Sequence, residues 1–201
     1  MRTHTFGATL AVLCLPVLVA AARQAGDPAL TLTPQSQLWV GGTSTVRSFK
    51  CTAGTLGARV EAAGAGAVGA VLAGEKAVRA AALTVPAKAL DCRNGTMNEH
   101  MLKALKADAH PTIGFTISSY EVAKADASLR GTATGELTLG GVTRTITVAA
   151  RLTEDAGGAL RIAGTHELNM REYGLKPPTL MMGTMRVNEK VTVGFDLRLT
   201  D

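Results

Sequence analysis

His166 is the histidine whose position best suits contact with a ligand. In a predicted strand it lies an even number of positions from Ile162 and Leu168, so all three side chains are expected to face inward. An imidazole in this position could meet the polar head of a bound molecule. A lone histidine on an apolar face is more often satisfied by backbone or water. His100 and His110 are expected to be capping or surface residues.

A group of methionines precedes the last predicted strand, at Met181, Met182 and Met185. Thioethers suit Cu(I), so copper binding by this loop together with His166 is one hypothesis. Methionine also fills irregular apolar gaps without any metal. We therefore assign no metal ligand and no cofactor from the sequence.

The motifs of common catalytic sites are missing from the sequence. It has no nucleophile elbow, no HExxH zinc motif and no glycine-rich phosphate loop. The acidic residues lie mostly in predicted turns or on outward strand faces. We expect no catalytic residues and no enzymatic activity.

The composition limits the classes of partner. The net charge is +5, but the basic residues are scattered over the polar faces of predicted strands. With one Trp, two Tyr and four Phe, the chain lacks a basic stripe with interleaved aromatic side chains. Nucleic-acid binding is therefore not expected.

Residues 1–22 have the pattern of a secretory signal peptide. Arg2 precedes an apolar run that ends in three alanines, and this run of about 15 residues is shorter than the roughly 20 of a bilayer-spanning helix. We predict cleavage after this run and no stable membrane span afterwards. A flexible segment over 23–36 and one domain over 37–201 would follow.

Two cysteines, Cys51 and Cys92, remain after the predicted removal of Cys14. An even number of cysteines in an exported protein favours a disulfide. A reactive thiol pair would be expected in CxxC spacing or beside a basic helix terminus, and the sequence shows neither. We predict a structural bridge that closes a loop of about 42 residues and stabilises the fold by on the order of 4 kcal/mol.

These residues must be positioned by strands, because apolar and polar side chains alternate along most of the chain. The alternation is typical of half-buried β-strands, and in 112–122 it places Ser118 and Tyr120 on the polar face. The Ala- and Gly-rich stretch 62–74 is interpreted as an irregular strand and turn. The predicted strands are 37–40, 45–53, 78–86, 112–122, 128–139, 142–153, 159–170 and 190–200.

Eight antiparallel strands in one domain favour a sandwich or a closed barrel, which makes the fold all-β. One short helix is predicted from Met97 to Lys106, with Asn94 or Thr96 as its cap. It should end before His110-Pro111, because the residue before proline disfavours helical geometry. Its apolar stripe would lie across one end of the barrel.

The inward strand faces carry several small residues, among them Gly131, Ala133 and Gly135. Because a protein interior is close-packed, either the sheet layers approach closely or a ligand fills the lumen, and an eight-stranded barrel permits both. If a ligand is present, the nearly uncharged lining predicts a hydrocarbon chain. The residues expected to contact it are Ile113, Phe115, Ile117, Leu129, Leu137, Ile146, Val148, Leu160, Ile162, His166, Leu168, Val191, Val193, Phe195 and Leu197.

Three segments of the chain resemble the YceI-like family. They are Glu99–Leu102 in the predicted helix, His110–Phe115 at the start of the next strand, and Gly135–Arg144 at a hairpin. Arg171–Gly174 and the last strand resemble it more weakly, and the segments keep their order along the chain. The resemblance implies a bacterial periplasmic protein with an extended lipocalin-like barrel of eight antiparallel strands, capped at one end by a short helix and holding a polyisoprenoid chain.

The leading hypothesis is a non-enzymatic exported protein that sequesters or carries a long isoprenoid or similar apolar chain in the barrel lumen. One alternative is a structural or interaction module without a ligand, such as an inhibitor or a stress-related factor. A further alternative is a copper-binding protein that uses the Met-rich loop. The expected partner is an apolar lipid, and a homodimer is left open.

Overall fold

The computed structural model of the protein describes residues 28–125, 128–180 and 184–201. The predicted signal peptide, Met181 and Met182 lie outside the described residues. None of the helices in the described ranges is long and apolar enough to span a bilayer. The helices are α1 (Ala67–Leu72) and α2 (Gly95–Ala104), with 3₁₀ turns at Ala87–Ala89, Ala156–Gly158 and Met170–Tyr173. The strands are β1 (Ala29–Leu32), β2 (Gln37–Ser44), β3 (Ser48–Ala53), β4 (Gly57–Ala62), β5 (Val78–Pro86), β6 (Leu90–Asp91), β7 (Thr112–Ala125), β8 (Ser128–Leu139), β9 (Val142–Asp155), β10 (Ala159–Asn169), β11 (Thr179–Leu180) and β12 (Met185–Thr200).

Eight of these strands form a closed ring. Hydrogen-bonded neighbours follow the order β1, β4, β5, β7, β8, β9, β10, β12, and β12 pairs again with β1. All of these pairs are antiparallel. The predicted eight-stranded antiparallel barrel is therefore confirmed.

One edge of β12 carries two strands in succession. Its last residues pair with β1, Thr200 opposite Thr31, and its preceding part pairs with β2, from Asp196 opposite Gln37 onward. The sheet continues from β2 to β3 and then to β6. The long β12 thus joins the ring to the additional strands β2, β3 and β6, which makes the barrel an extended one.

The eight strands that form the ring are not the same eight strands that were predicted. β1 lies within 23–36, the segment predicted to be flexible, and β4 was not predicted. Leu30 of β1 and Val60 of β4 are paired and buried, with 4% and 6% exposure. Both strands are short, and their stability comes from partners distant in the sequence, which a local alternation pattern does not reveal. The short strands β6 and β11 were missed for the same reason.

The Ala-Gly-rich stretch 62–74 contains α1 rather than an irregular strand. Gly66 precedes it with a left-handed backbone, φ 70°, and Ala is the best helix former. Ala67, Val68 and Val71 are buried on one side of the helix, where they pack among residues of the ring. This tertiary burial stabilises a helix that is too short to form alone.

The predicted helix is present as α2. The side chain of Asn94 accepts a hydrogen bond from the Met97 N–H, 2.9 Å, so the cap is the first of the two candidates. The helix ends at Ala104, two residues earlier than expected, because Lys106 adopts a left-handed backbone with φ 54°. The chain therefore turns before His110-Pro111 is reached.

Buried side chains form separate clusters around the lumen. The largest surrounds α1 at one end of the ring, which we call the lower end. The other two clusters lie at the end near α2, which we call the upper end. One includes Leu168 and Tyr173, and the other includes Leu38 and Val85. The space between the two ends is the candidate site.

A β-bulge in β7 changes which of its side chains face inward. The pairing of β7 with β8 shifts register between Ile117 and Ser119, which leaves Ser118 as the extra residue. Beyond a bulge, the even- and odd-numbered residues of the strand exchange faces. Tyr120 and Val122 therefore lie on the inward side. The prediction that Tyr120 faces outward was wrong, because the alternation was extended through the bulge.

Candidate functional site

The barrel encloses an elongated lumen with two compartments. The upper compartment has a volume of about 440 Å³ and the lower one about 410 Å³. Each falls in the range of cavities that bind small molecules. The residues that border both compartments, which we call the waist, are Leu83, Phe115, Val148, Phe195 and Leu197.

The upper compartment lies between the ring, strands β2 and β3, and helix α2. Its walls are almost entirely apolar, and α2 contributes Met97, Met101 and Ala104. These helix residues were not predicted to line the lumen, although the apolar stripe of the helix was expected to lie across one end of the barrel. Leu38 and other residues of β2, β3 and β5 also line the cavity without having been predicted to do so. Those of β5 could have been predicted, because apolar and polar side chains alternate along that strand.

Polar side chains gather at the rim of the upper compartment. Arg47 comes from the β2–β3 hairpin, Thr96 and His100 come from α2, and all three border the cavity. Among the described residues, the Arg47 guanidinium and the half-buried His100 imidazole have no hydrogen-bond or ion-pair partner. His100 was expected to be a capping or surface residue, and its position at this rim corrects that expectation.

The disulfide between Cys51 and Cys92 is present and joins residues 41 positions apart. Cys51 in β3 is 1% exposed, and Cys92 lies just before α2 with its Sγ 3.7 Å from the Met101 Sδ. Both cysteines border the upper compartment. The bridge therefore ties the start of α2 to the barrel wall.

The lower compartment ends against α1. Val71 of α1, Val60, Leu152 and Leu160 form its apolar end wall. Its opening lies between β5 and β7 and is bordered by polar side chains as well as apolar ones. These polar residues are Lys76, Arg79, Ser118, Ser119, Tyr120 and Glu121.

The structure brings the predicted lining residues together, with one exception. All of them except Leu129 border the upper compartment, the lower compartment or both. Leu129 is 8% exposed and packs in the cluster around α1 with Leu152 and Leu160. It was misplaced because the helix that fills this end of the barrel was not predicted.

Three inward glycines lie close to neighbouring groups of the wall, and Gly131 and Ala133 also border the lower compartment. A Cβ on Gly131 would lie 2.6 Å from the Leu152 Cδ1, and one on Gly135 would lie 2.3 Å from the Thr116 carbonyl oxygen. A Cβ on Gly164 would lie 2.7 Å from the Phe195 ring. These glycines therefore permit close packing within the wall.

Two of the proposed metal-site residues border the upper compartment. His166 is half-buried there and, within the described residues, its imidazole forms no hydrogen bond. Met185 also borders this cavity. Across the described ranges, no group of three or more His, Cys, Asp or Glu side chains is placed to bind a metal ion. His110 packs against the hairpin residue Gly141.

Ion pairs cover the outer face of the wall behind the lumen. Arg161 donates two hydrogen bonds to Asp196, at 2.9 and 2.7 Å, and Arg198 binds Asp155. The bonds from Arg161 hold the pKa of Asp196 below its ordinary value. Since strand side chains alternate between faces, the charges lie outside while the neighbouring Leu197 faces the lumen.

Comparisons with solved structures identify the same fold. BcnA of Burkholderia cenocepacia matches with a TM-score of 0.67 and 18% identity, over 85% of this chain and 100% of that one. The Campylobacter jejuni YceI protein matches with a TM-score of 0.53 and 15% identity, over 98% and 97% of the two chains. A polyisoprenoid-binding domain from Saccharophagus degradans matches with a TM-score of 0.59 and 12% identity, over 85% and 96%.

A search of curated proteins gave no significant match. The sequence matches the family described as the YceI-like domain over residues 35–199. This match includes α2, the disulfide and all of the waist residues. The chain therefore belongs to the YceI-like domain family.

Proposed function

We propose that the protein is a non-enzymatic, exported lipid-binding protein that holds a long isoprenoid or similar apolar chain in its lumen. The observation that carries this proposal is that two apolar compartments lie on either side of one set of shared lining residues, the waist. A compact ligand would need only one compartment, whereas a linear chain can occupy both. The waist side chains, such as Phe115 and Val148, offer such a chain apolar contact without hydrogen bonds.

Chain length should determine the affinity. Burial of each methylene contributes about 0.8 kcal/mol, so a chain gains affinity with every carbon it places inside the lumen. The gain should continue through the waist and stop when the lower compartment is filled. A short chain would use the upper compartment alone.

The rim beside α2 suits the polar end of the ligand. Within the described residues, the side chains of Arg47 and His100 lie there without hydrogen-bond or ion-pair partners, and Thr96 adds a hydroxyl group. A hydroxyl, carbonyl or anionic head could accept hydrogen bonds from these groups while the chain points toward the waist. We place the head group at this rim and the chain end in the lower compartment.

Two further observations support the proposal. The polyisoprenoid-binding domain of Saccharophagus degradans shares the fold, which makes a prenyl chain the first ligand class to test. The predicted signal peptide and the Cys51–Cys92 disulfide suit an oxidising compartment such as the periplasm. Sequestration or carriage of the lipid in that compartment would follow.

The test compares two tryptophan substitutions on the same strand. Val148 borders both compartments, whereas its neighbour Thr147 is exposed on the outer face. Val148→Trp should obstruct the waist, and Thr147→Trp is the matched control. Binding is measured by the fluorescence of retinol, a short isoprenoid alcohol, and by its displacement with the longer alcohol solanesol.

We expect wild type and Thr147→Trp to bind both alcohols, with solanesol the tighter ligand. Val148→Trp should weaken solanesol binding by at least about tenfold, the cost of excluding two methylenes, and should affect retinol less. Native mass spectrometry of protein purified from a bacterial periplasm provides the second measurement. A bare polypeptide mass together with no uptake of either alcohol would overturn the proposal in favour of a module without a ligand.

A further inference from the structure

The barrel wall has a gap between β5 and β7, beside the lower compartment. In the described sheet, these strands pair only from Ala82 opposite Thr116 to Pro86 opposite Thr112. Toward the lower end, β5 stays paired with β4 as far as Val78, and β7 stays paired with β8 to its end. In this part of the described sheet, the edges of β5 and β7 therefore face each other without a ladder of backbone hydrogen bonds between them.

The bulge at Ser118 accounts for the position of the gap. It follows Thr116, the residue at which the β5–β7 ladder stops. A bulge bends its strand and increases the local twist, and β7 is paired with β8 but no longer with β5 beyond this point in the described sheet. Gly135 on β8 makes this possible, because its missing side chain leaves room for the β7 backbone at Thr116 and Ile117.

The lower compartment extends into the gap. It is bordered by every residue of β5 from Val78 to Leu83 and by every residue of β7 from Ile117 to Val122. Because successive residues of a strand point to opposite faces, a cavity inside the wall would contact only alternate residues. Contact with both faces means that the cavity reaches the strand edges.

Few interactions hold the gap closed. The Val78 N–H donates to the Tyr120 Oη at 3.0 Å, and the Tyr120 hydroxyl lies 3.3 Å from the Val78 carbonyl oxygen that accepts from it. A hydrogen-bonded ladder would hold the strands about 4.8 Å apart, whereas here a whole tyrosine side chain spans the space. The Lys76–Glu121 ion pair also crosses it at 2.6 Å, but its side chains are 56% and 72% exposed, so it contributes little.

We propose that this gap is the passage through which the bound lipid enters and leaves the lumen, with Tyr120 as its latch. The hydroxyl end enters first and crosses the waist to the upper rim, so the chain end comes to lie in the lower compartment beside the gap. The inference rests on the proposed function. Among the described residues, opening the gap breaks the Tyr120 hydrogen bonds and one exposed ion pair, whereas opening the wall between β7 and β8 would break a ladder that runs on both sides of the bulge to the end of β7. At the upper rim, in contrast, the disulfide restrains the start of α2.

The experiment measures the rate at which retinol leaves the loaded protein for phosphatidylcholine vesicles. Tyr120→Phe removes the hydroxyl group and keeps the ring, and it should speed transfer about fivefold, the change expected for one net hydrogen bond. Ala80 and Ser119 are exposed residues on the two edges of the gap. Cysteines introduced at both positions and joined by a flexible bis-maleimide should slow transfer below the wild-type rate.

A matched staple separates the gap from general stiffening of the barrel. Glu136 and Thr145 are exposed and directly paired across β8 and β9, and cysteines cross-linked there should leave the transfer rate unchanged. Equilibrium retinol affinity is measured in parallel. If wild type takes up no retinol, the proposed function and the passage are both overturned. Two results with a protein that binds retinol would overturn the passage alone. In the first, neither the staple between 80 and 119 nor Tyr120→Phe changes the transfer rate. In the second, both staples slow transfer equally.

Discussion

Removal of the disulfide should lower the stability of this protein substantially. The bridge joins Cys51 and Cys92 across 41 positions. For a closed loop of this size, the lost entropy of the unfolded chain corresponds to about 4 kcal/mol at 25 °C. Since a domain is stable by only about 5–15 kcal/mol, the bridge would supply a large share of the total.

The perturbation is the double substitution Cys51→Ala/Cys92→Ala, compared with wild type in the oxidised and reduced forms. Urea unfolding followed by circular dichroism gives the free energy of unfolding for each. We expect the double variant and reduced wild type to agree with each other and to fall about 4 kcal/mol below oxidised wild type. Their m-values should rise, because the unfolded chain without the bridge exposes more surface.

Hydrogen exchange adds a local measurement. Because Cys92 lies just before α2 and packs against Met101, exchange of the α2 amides should accelerate more than that of β8, which the bridge does not touch. A loss of stability below about 1 kcal/mol in both bridge-free forms would refute the chain-entropy argument. A uniform increase in exchange over α2 and β8 would refute the local role assigned to the bridge.

Two further substitutions test the sheet. Gly135→Ala would place a Cβ 2.3 Å from the Thr116 carbonyl oxygen and should cost about 1–3 kcal/mol of stability by overpacking. The control Gly114→Ala, with no atom within 4 Å of its Cβ, should be nearly neutral. Equal urea midpoints for the two variants would contradict this. Asp196 has a pKa held below its ordinary 3.8 by hydrogen bonds from Arg161, so its contribution is present above that value and is lost as the pH falls through the lowered pKa. Asp196→Asn should therefore lose about 1 kcal/mol at neutral pH and converge with wild type in acid, and a difference independent of pH would count against the ion pair.

The local properties of the sequence were sufficient for much of the fold and the lumen. Alternation placed Ile113 and Phe115 on an inward face, and both border the cavities. A cap residue followed by an apolar stripe predicted α2, and Asn94 does cap it. These signals succeed because each depends on neighbours within a few positions of the chain.

Other features depended on partners far away in the sequence. β1 exists because β12 and β4 pair with it, and α1 exists because the end of the barrel buries its apolar side. Tyr120 faces inward because of a register shift against β8. No periodic pattern contains these pairings. Leu129 was therefore predicted to line the lumen, and the residues of β1 were predicted to form a flexible segment before the domain.

By itself, the sequence determined that this chain forms antiparallel strands with an apolar, nearly uncharged inward face, since alternation assigns side chains to faces without reference to distant strands. Only the tertiary structure decided that the barrel closes between β1 and β12 and that its interior holds two compartments that share the waist residues. It also decided where the wall opens, between β5 and β7. Closure, wall separation and gaps are properties of strand pairing over long distances, and a single strand's pattern does not specify its partner.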